Sequence, residues 1–216
     1  MPRKAVLFDL DGTLLNSLED LADATNAALA EWGLPGHPLE AYKLFVGDGM
    51  ENLVRRALGQ EALDEALFAR GLDLTRREYA GRWAEKTRPY PGIPDLLDKL
   101  SHRGIPMAVF SNKPDEFTRL CVSRLLSAWH FQAIQGATPD LPRKPDPSGA
   151  LAIAARLGVV PGEVLYVGDT NTDMQTAVAA GMFPLGVLWG FRTAAELLAT
   201  GAAALVKAPA EVLGWI

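Results

Sequence analysis

One strand-like run stands apart from every other in this chain. "KAVLFD", Lys4 to Asp9, is short, apolar and rich in β-forming residues. No second run of that kind follows until "IPMAVFS", Ile105 to Ser111. The intervening pattern is helical. Leu18, Leu21, Ala22, Thr25, Ala28, Leu29 and Trp32 fall on one stripe at helical spacing, which predicts a helix over 17–32. Ser17 with Asp20 suits its N-terminal cap, and Gly33 suits its stop. Further helices are expected over 39–46, 50–58 and 63–86, up to the helix-breaking "RPYPGIP".

Beyond that break, helix and strand alternate. Helices are expected over 94–103, 114–129, 147–157, 171–180 and 194–199. Strands are expected over 105–111, 133–135 and 164–167, then at "LGVLWG" and "AALV". Short apolar strands separated by helices imply an α/β fold, a parallel sheet with helices on both faces. The lone first strand must join that sheet. Residues 1–15 and 90–216 are therefore expected to form an α/β core, and 16–89 an all-helical insert leaving at the end of the first strand.

The 216 residues suffice for one sizeable core and a small accessory unit, and 49% are apolar, as in a globular protein. The formal net charge of −5 argues against a general nucleic-acid or anionic-membrane partner. One cysteine, Cys121, permits no intrachain disulfide and is expected on the buried face of a helix. His37, His102 and His130 have no metal-ligand spacing. Asp9 and Asp11 interrupt the apolar start, which argues against a secretory signal, and a cytoplasmic location is expected. The uncharged stretch 174–191 contains Gly181, Pro184 and Gly186 and reads as helix, turn and buried strand rather than a membrane span.

In an open parallel sheet, ligands bind beyond the carboxyl ends of the strands. The residues expected there are Asp9 and Asp11; Ser111, Asn112 and Lys113; Lys144 within "RKPDP"; and Asp169 with Asp173. Alternation along a strand would let Asp9 and Asp11 face one crevice. With Asp169, up to three carboxylates would meet. At about 4 Å and an effective dielectric near 20, each like-charge pair costs roughly 4 kcal/mol, so such a site needs a cation. Oxygen-only ligands point to Mg²⁺. Carboxylates, a metal, a lysine and hydroxyl or amide donors describe a phosphoryl site. One carboxylate can attack phosphorus, the other can move the proton, and Lys144 can screen the charge.

"FDLDGTLL", "FSNK", "RKPDP" and "VGDTNTDMQTAVAAG", in this order, resemble the haloacid dehalogenase-like superfamily. "VGDGMENLVRRAL" and "GVLWGFRTAAELLATGA" resemble its phosphoglycolate phosphatase branch. The resemblance spans nearly the whole chain, and it makes the α/β core Rossmann-like and the helical insert a cap. It implies Asp9 as nucleophile and Mg²⁺ ligand. Asp11 becomes general acid/base and a metal ligand through its backbone carbonyl. Gly12 permits the turn and Thr13 supports the loop. Ser111 and Asn112 hold phosphoryl oxygens, and Lys144 stabilises the nucleophile and transferring group. Asp169 ligates Mg²⁺ directly or through water, with Asp173 in supporting position. An acid at position 11 excludes the dehalogenases, which lack it.

Within the insert, Gly47 and Gly49 precede a helix bearing Arg55 and Arg56. Exposed N–H groups there favour anions, so this turn is a candidate reader of the substrate's non-phosphate end. The alternative is an ordinary helix start with solvated arginines. The expected partner is a small phosphorylated metabolite, 2-phosphoglycolate first, met by a monomer or homodimer. A sugar-phosphate mutase, a phosphatase of another metabolite such as pyrophosphate, and a catalytically silent binding module are the competing expectations.

Overall fold

The computed structural model describes residues 3–216. The chain divides into two compact units, one comprising the residues up to Leu15 with Pro89–Ile216, the other Asn16–Arg88. In the first, six strands form one parallel sheet: β1 (Ala5–Phe8), β2 (Met107–Pro114), β3 (Ala133–Ala137), β4 (Val164–Gly168), β5 (Phe183–Val187) and β6 (Ala204–Val206). Their order is β3-β2-β1-β4-β5-β6. The lone first strand lies in the middle, with Val6 opposite Met107 of β2 and Leu165 of β4. The expected doubly wound α/β sheet is thus present.

The second unit is helical, with α1 (Leu18–Ala30), α2 (Leu39–Phe45), α3 (Met50–Leu58) and α4 (Glu65–Arg82). Leu29, Val54, Ala57, Leu58 and Phe68 form its core, joined by Trp32 and Leu72. Gly71 lets α4 approach Trp32; a Cβ there would stand 2.5 Å from the indole. The last helix starts later than expected, because the Asp64 carboxylate accepts from the N–H groups of Ala66 and Leu67 and so caps it. The expected Ser17 and Asp20 cap is not formed. Ser17 makes no side-chain cap bond. Buried Asp20 instead accepts from the backbone N–H groups of Lys86 (3.0 and 3.1 Å) and Thr87 (2.8 Å), and from Thr87 Oγ1 (2.6 Å). It ties the start of this unit to its end.

In the first unit, α5 (Ile93–His102), α6 (Asp115–Leu125), α7 (Ser148–Leu157), α8 (Asn171–Ala179) and α9 (Ala194–Ala199) alternate with the strands. Ala5, Val6, Leu7 and Phe8 are all fully buried, so both faces of the central strand are covered. On one face Leu7, Phe110 and Tyr166 pack with Ile153 and Ala154 of α7 and Ala177 of α8. Cys121 lies buried on α6. β2 runs past its expected end at Ser111 to Pro114, with a break in pairing to β3 between Phe110 and Pro114. That extension carries Asn112 and Lys113 on strand rather than loop. Among the described residues no helix is long and apolar enough to cross a membrane.

Candidate active site

The sheet order reverses at β1, whose neighbours are β2 and β4. Loops leaving these strands in opposite directions open a crevice at their carboxyl ends. Asp9 follows β1 directly, Asp169 follows β4, and Asp173 lies in the first turn of α8. Carboxylate oxygens of these three buried residues lie within 4.8 Å of one another. Lys144 reaches them from the loop before α7. Its Nζ donates to Asp9 Oδ1 at 2.8 Å, Asp173 Oδ1 at 2.7 Å and the Phe110 carbonyl at 3.2 Å. Those three bonds use all three ammonium hydrogens.

Three carboxylates and one ammonium leave the buried cluster short of positive charge, and the acids register it. Burial, with help from Asp173, pushes Asp9 up from 3.8 to about 7, although Lys144 pulls the other way. Burial raises Asp169 well above the carboxylate range, and Asp9 and Asp173 add to it. For Lys144, burial acts downward, but Asp173 and Asp9 outweigh it and hold the ammonium charged. Oxygen donors only, crowded together and lacking positive charge, fit a hard divalent cation held by Asp9 and Asp169, with Asp173 adjacent.

Asp173 is more central than the sequence suggested. Its Oδ2 accepts from Thr170 N and Oγ1 at 3.0 and 2.6 Å, closing a capping box on α8 while Oδ1 faces Lys144. Gly168 makes room for it, since a Cβ there would stand 2.4 Å from Asp173 Cβ. The Asp11 side chain has a partner that the sequence did not point to. β1 ends at Phe8, and the chain then turns, with Gly12 at φ +90° and Leu14 N bonded to Leu10 O. Two-residue alternation does not hold through a turn. The Asp11 carboxylate receives Lys113 Nζ at 3.0 Å on both oxygens. Lys113 is the site residue that the sequence reading left without a role, though it closes the quoted "FSNK".

Thr13 Oγ1 donates to Asp169 Oδ1 at 2.9 Å. Ser111 Oγ accepts from Lys113 N at 3.2 Å. Asn112 has a structural role at the site. Its amide accepts from Lys144 N at 2.9 Å and donates to Lys144 O at 3.1 Å, so it fixes the lysine's backbone. In the helical unit, Gly47 and Gly49 have positive φ and Gly49 caps α3. Arg55 does not present an open guanidinium. It lies 3.7 Å over the Phe68 ring and pairs with Glu65, while Arg56 pairs with Asp48.

The chain belongs to the haloacid dehalogenase-like hydrolase family, whose model matches residues 6–187. It is therefore a hydrolase. A phosphoglycolate phosphatase of Pseudomonas syringae pv. tomato is 38% identical over 192 residues, covering 87% of this chain and 70% of the relative. One from Thiobacillus denitrificans is 34% identical over 214 residues, 98% and 94% of the two chains. A solved structure from Lactobacillus delbrueckii subsp. bulgaricus, provisionally named a phosphoglycolate phosphatase, superposes with a TM-score of 0.92 at 33% identity, covering 98% and 97%.

Proposed function

We propose that this protein is a Mg²⁺-dependent phosphatase that hydrolyses 2-phosphoglycolate to glycolate and phosphate through an aspartyl phosphate on Asp9. The core comprises residues 1–15 and 90–216, and the helical segment 16–89 is its cap. One observation carries the reading: two aspartates two residues apart stand in different surroundings. Asp9 lies in the buried carboxylate cluster on Lys144, and Asp11 lies outside it on Lys113.

Asp9 attacks phosphorus, forming the acyl phosphate as the bond to the glycolate oxygen breaks. Asp11 gives a proton to that leaving oxygen, then takes one from the water that hydrolyses the acyl phosphate. Lys113 fixes the orientation of Asp11 for both transfers. Lys144 screens the approach of a dianion to a carboxylate. Asp9, Asp169 and the Asp11 backbone carbonyl would hold Mg²⁺, with Asp173 behind them; when bound, the ion supplies positive charge against the phosphoryl oxygens. Ser111 offers a hydroxyl to the same oxygens.

The choice of 2-phosphoglycolate is supported by the relatives of that name. The mutase alternative has support from a Thermotoga maritima structure provisionally named a β-phosphoglucomutase, with a TM-score of 0.73 at 26% identity. The test is a panel of small phosphates with Mg²⁺, beside an Asp9→Asn control. The expected outcome is free phosphate, fastest from phosphoglycolate, and none from the control. Conversion of a hexose 1-phosphate to its isomer without free phosphate would instead establish a mutase. Full turnover by Asp9→Asn would end the aspartyl-phosphate mechanism.

A further inference from the structure

The segment "LWGF" after β5 has no part in the chemistry above, yet it reaches the carboxylate cluster once directly and once through Thr13. Phe191 N donates to Asp169 Oδ2 at 2.9 Å. Trp189 Nε1 donates to the Thr13 carbonyl at 2.9 Å. The hydroxyl of that same Thr13 holds Asp169 Oδ1 at 2.9 Å. The links form a closed circuit: Thr13 to Asp169, Asp169 to Phe191, and Trp189 back to Thr13. It joins the loops that follow β1, β4 and β5. Each Asp169 oxygen accepts one bond from it, which fixes the plane of the carboxylate and leaves a lone-pair site on each oxygen.

Two glycines form the walls of the slot holding Asp169. A Cβ on Gly12 would stand 2.2 Å from Asp169 Oδ2, and one on Gly190 would stand 2.3 Å from Asp169 Cβ. The carboxylate is clasped between two backbones and can swing only if they part. Gly12 adjoins Thr13, and Gly190 adjoins Trp189. The indole bond therefore ties together the two loops that carry the walls of the slot. We propose that Trp189 is a positioning residue for the divalent-ion site, holding the 12–13 and 189–191 loops together so that Asp169 is aimed before the ion arrives. This rests on the Mg²⁺ reading given above. A half-buried indole N–H commonly finds a carbonyl for reasons of loop stability alone, and only a metal-binding measurement separates the two roles.

The experiment is calorimetric titration of Mg²⁺ into the full chain without substrate. Three proteins are compared: wild type, Trp189→Phe and Trp129→Phe. Trp129 is the control, because its Nε1 also makes a single bond, to Asp98 Oδ1 at 2.7 Å on an exposed surface. Trp189→Phe should bind Mg²⁺ about 10-fold more weakly, the lower end of the range for losing a direct partner of a metal ligand, because Trp189 acts through Thr13. Trp129→Phe should bind within about twofold of wild type, that being the scatter expected of a remote site. Equal affinity in Trp189→Phe and wild type overturns the proposal. If Trp189→Phe proves unstable, replacing the indole by benzothiophene keeps its shape, removes only the N–H, and must show the same weakening. Wild type that binds no Mg²⁺ refutes the metal reading itself; wild type that binds while Trp189→Phe binds equally refutes only the role of Trp189.

Discussion

Replacing Asp9 by asparagine should flatten the pH dependence of stability in the metal-free protein. The wild-type carboxyl is pushed from 3.8 to about 7 by burial and by Asp173, against Lys144. Between those values the folded chain holds a proton that the unfolded chain has released. The stabilisation is therefore complete below 3.8 and is lost as the pH rises through 7. Linkage gives a loss of about 2–3 kcal/mol between pH 5 and pH 8. Asp169, raised by burial and partly by the Asp9 charge, works in the same direction. In the variant the substituted carboxamide is neutral at every pH, and Lys144 keeps Asp173 as its partner at 2.7 Å. Urea unfolding in chelator at pH 5, 6, 7 and 8 gives both curves, and their difference reports Asp9 together with the part of the Asp169 shift that the Asp9 charge causes. Adding Mg²⁺ at pH 8 should restore the wild type, by about 2.7 kcal/mol at a hundredfold excess over Kd, and restore Asp9→Asn far less. Parallel pH curves for the two proteins would refute the claim that Asp9 is held in a cluster short of positive charge.

Three further perturbations test other parts of the molecule. Lys113→Met removes the cation that grips both oxygens of Asp11, and should lower kcat of the folded protein at least about tenfold, as loss of an acid–base orientation does; unchanged kcat in steady-state assays would deny Lys113 that role. Asp20→Ala strips the acceptor from the Lys86 and Thr87 amides and the Thr87 hydroxyl, and should destabilise by about 3 kcal/mol in urea unfolding, with Asp20→Asn losing less. Gly149→Ala puts a Cβ 2.4 Å from the Phe110 ring, and overpacking there should lower stability by about 1–3 kcal/mol despite alanine's better helix propensity; a more stable variant would mean that α7 can shift off the sheet.

The sequence by itself determined the layered fold, because burial imposes periodicity. Residues 5–8 are buried on both faces, which writes an unbroken apolar run, and α1 carries a helical stripe. It also determined that Asp9, Lys144 and Asp169 would meet, since parallel strands deliver their carboxyl ends to one edge of the sheet. What surrounds those residues was decided by tertiary structure alone. Asp11 pairs with Lys113, 102 positions away, because the chain turns after Phe8 and β2 continues to Pro114. Asn112 clamps the backbone of Lys144, Asp20 fastens Thr87, and Trp189 reaches Thr13 across 176 positions. None of these contacts leaves a period or a spacing in the sequence. Each depends on where a strand stops and how a loop bends, and a change of one residue in either would redirect the side chain to a different partner.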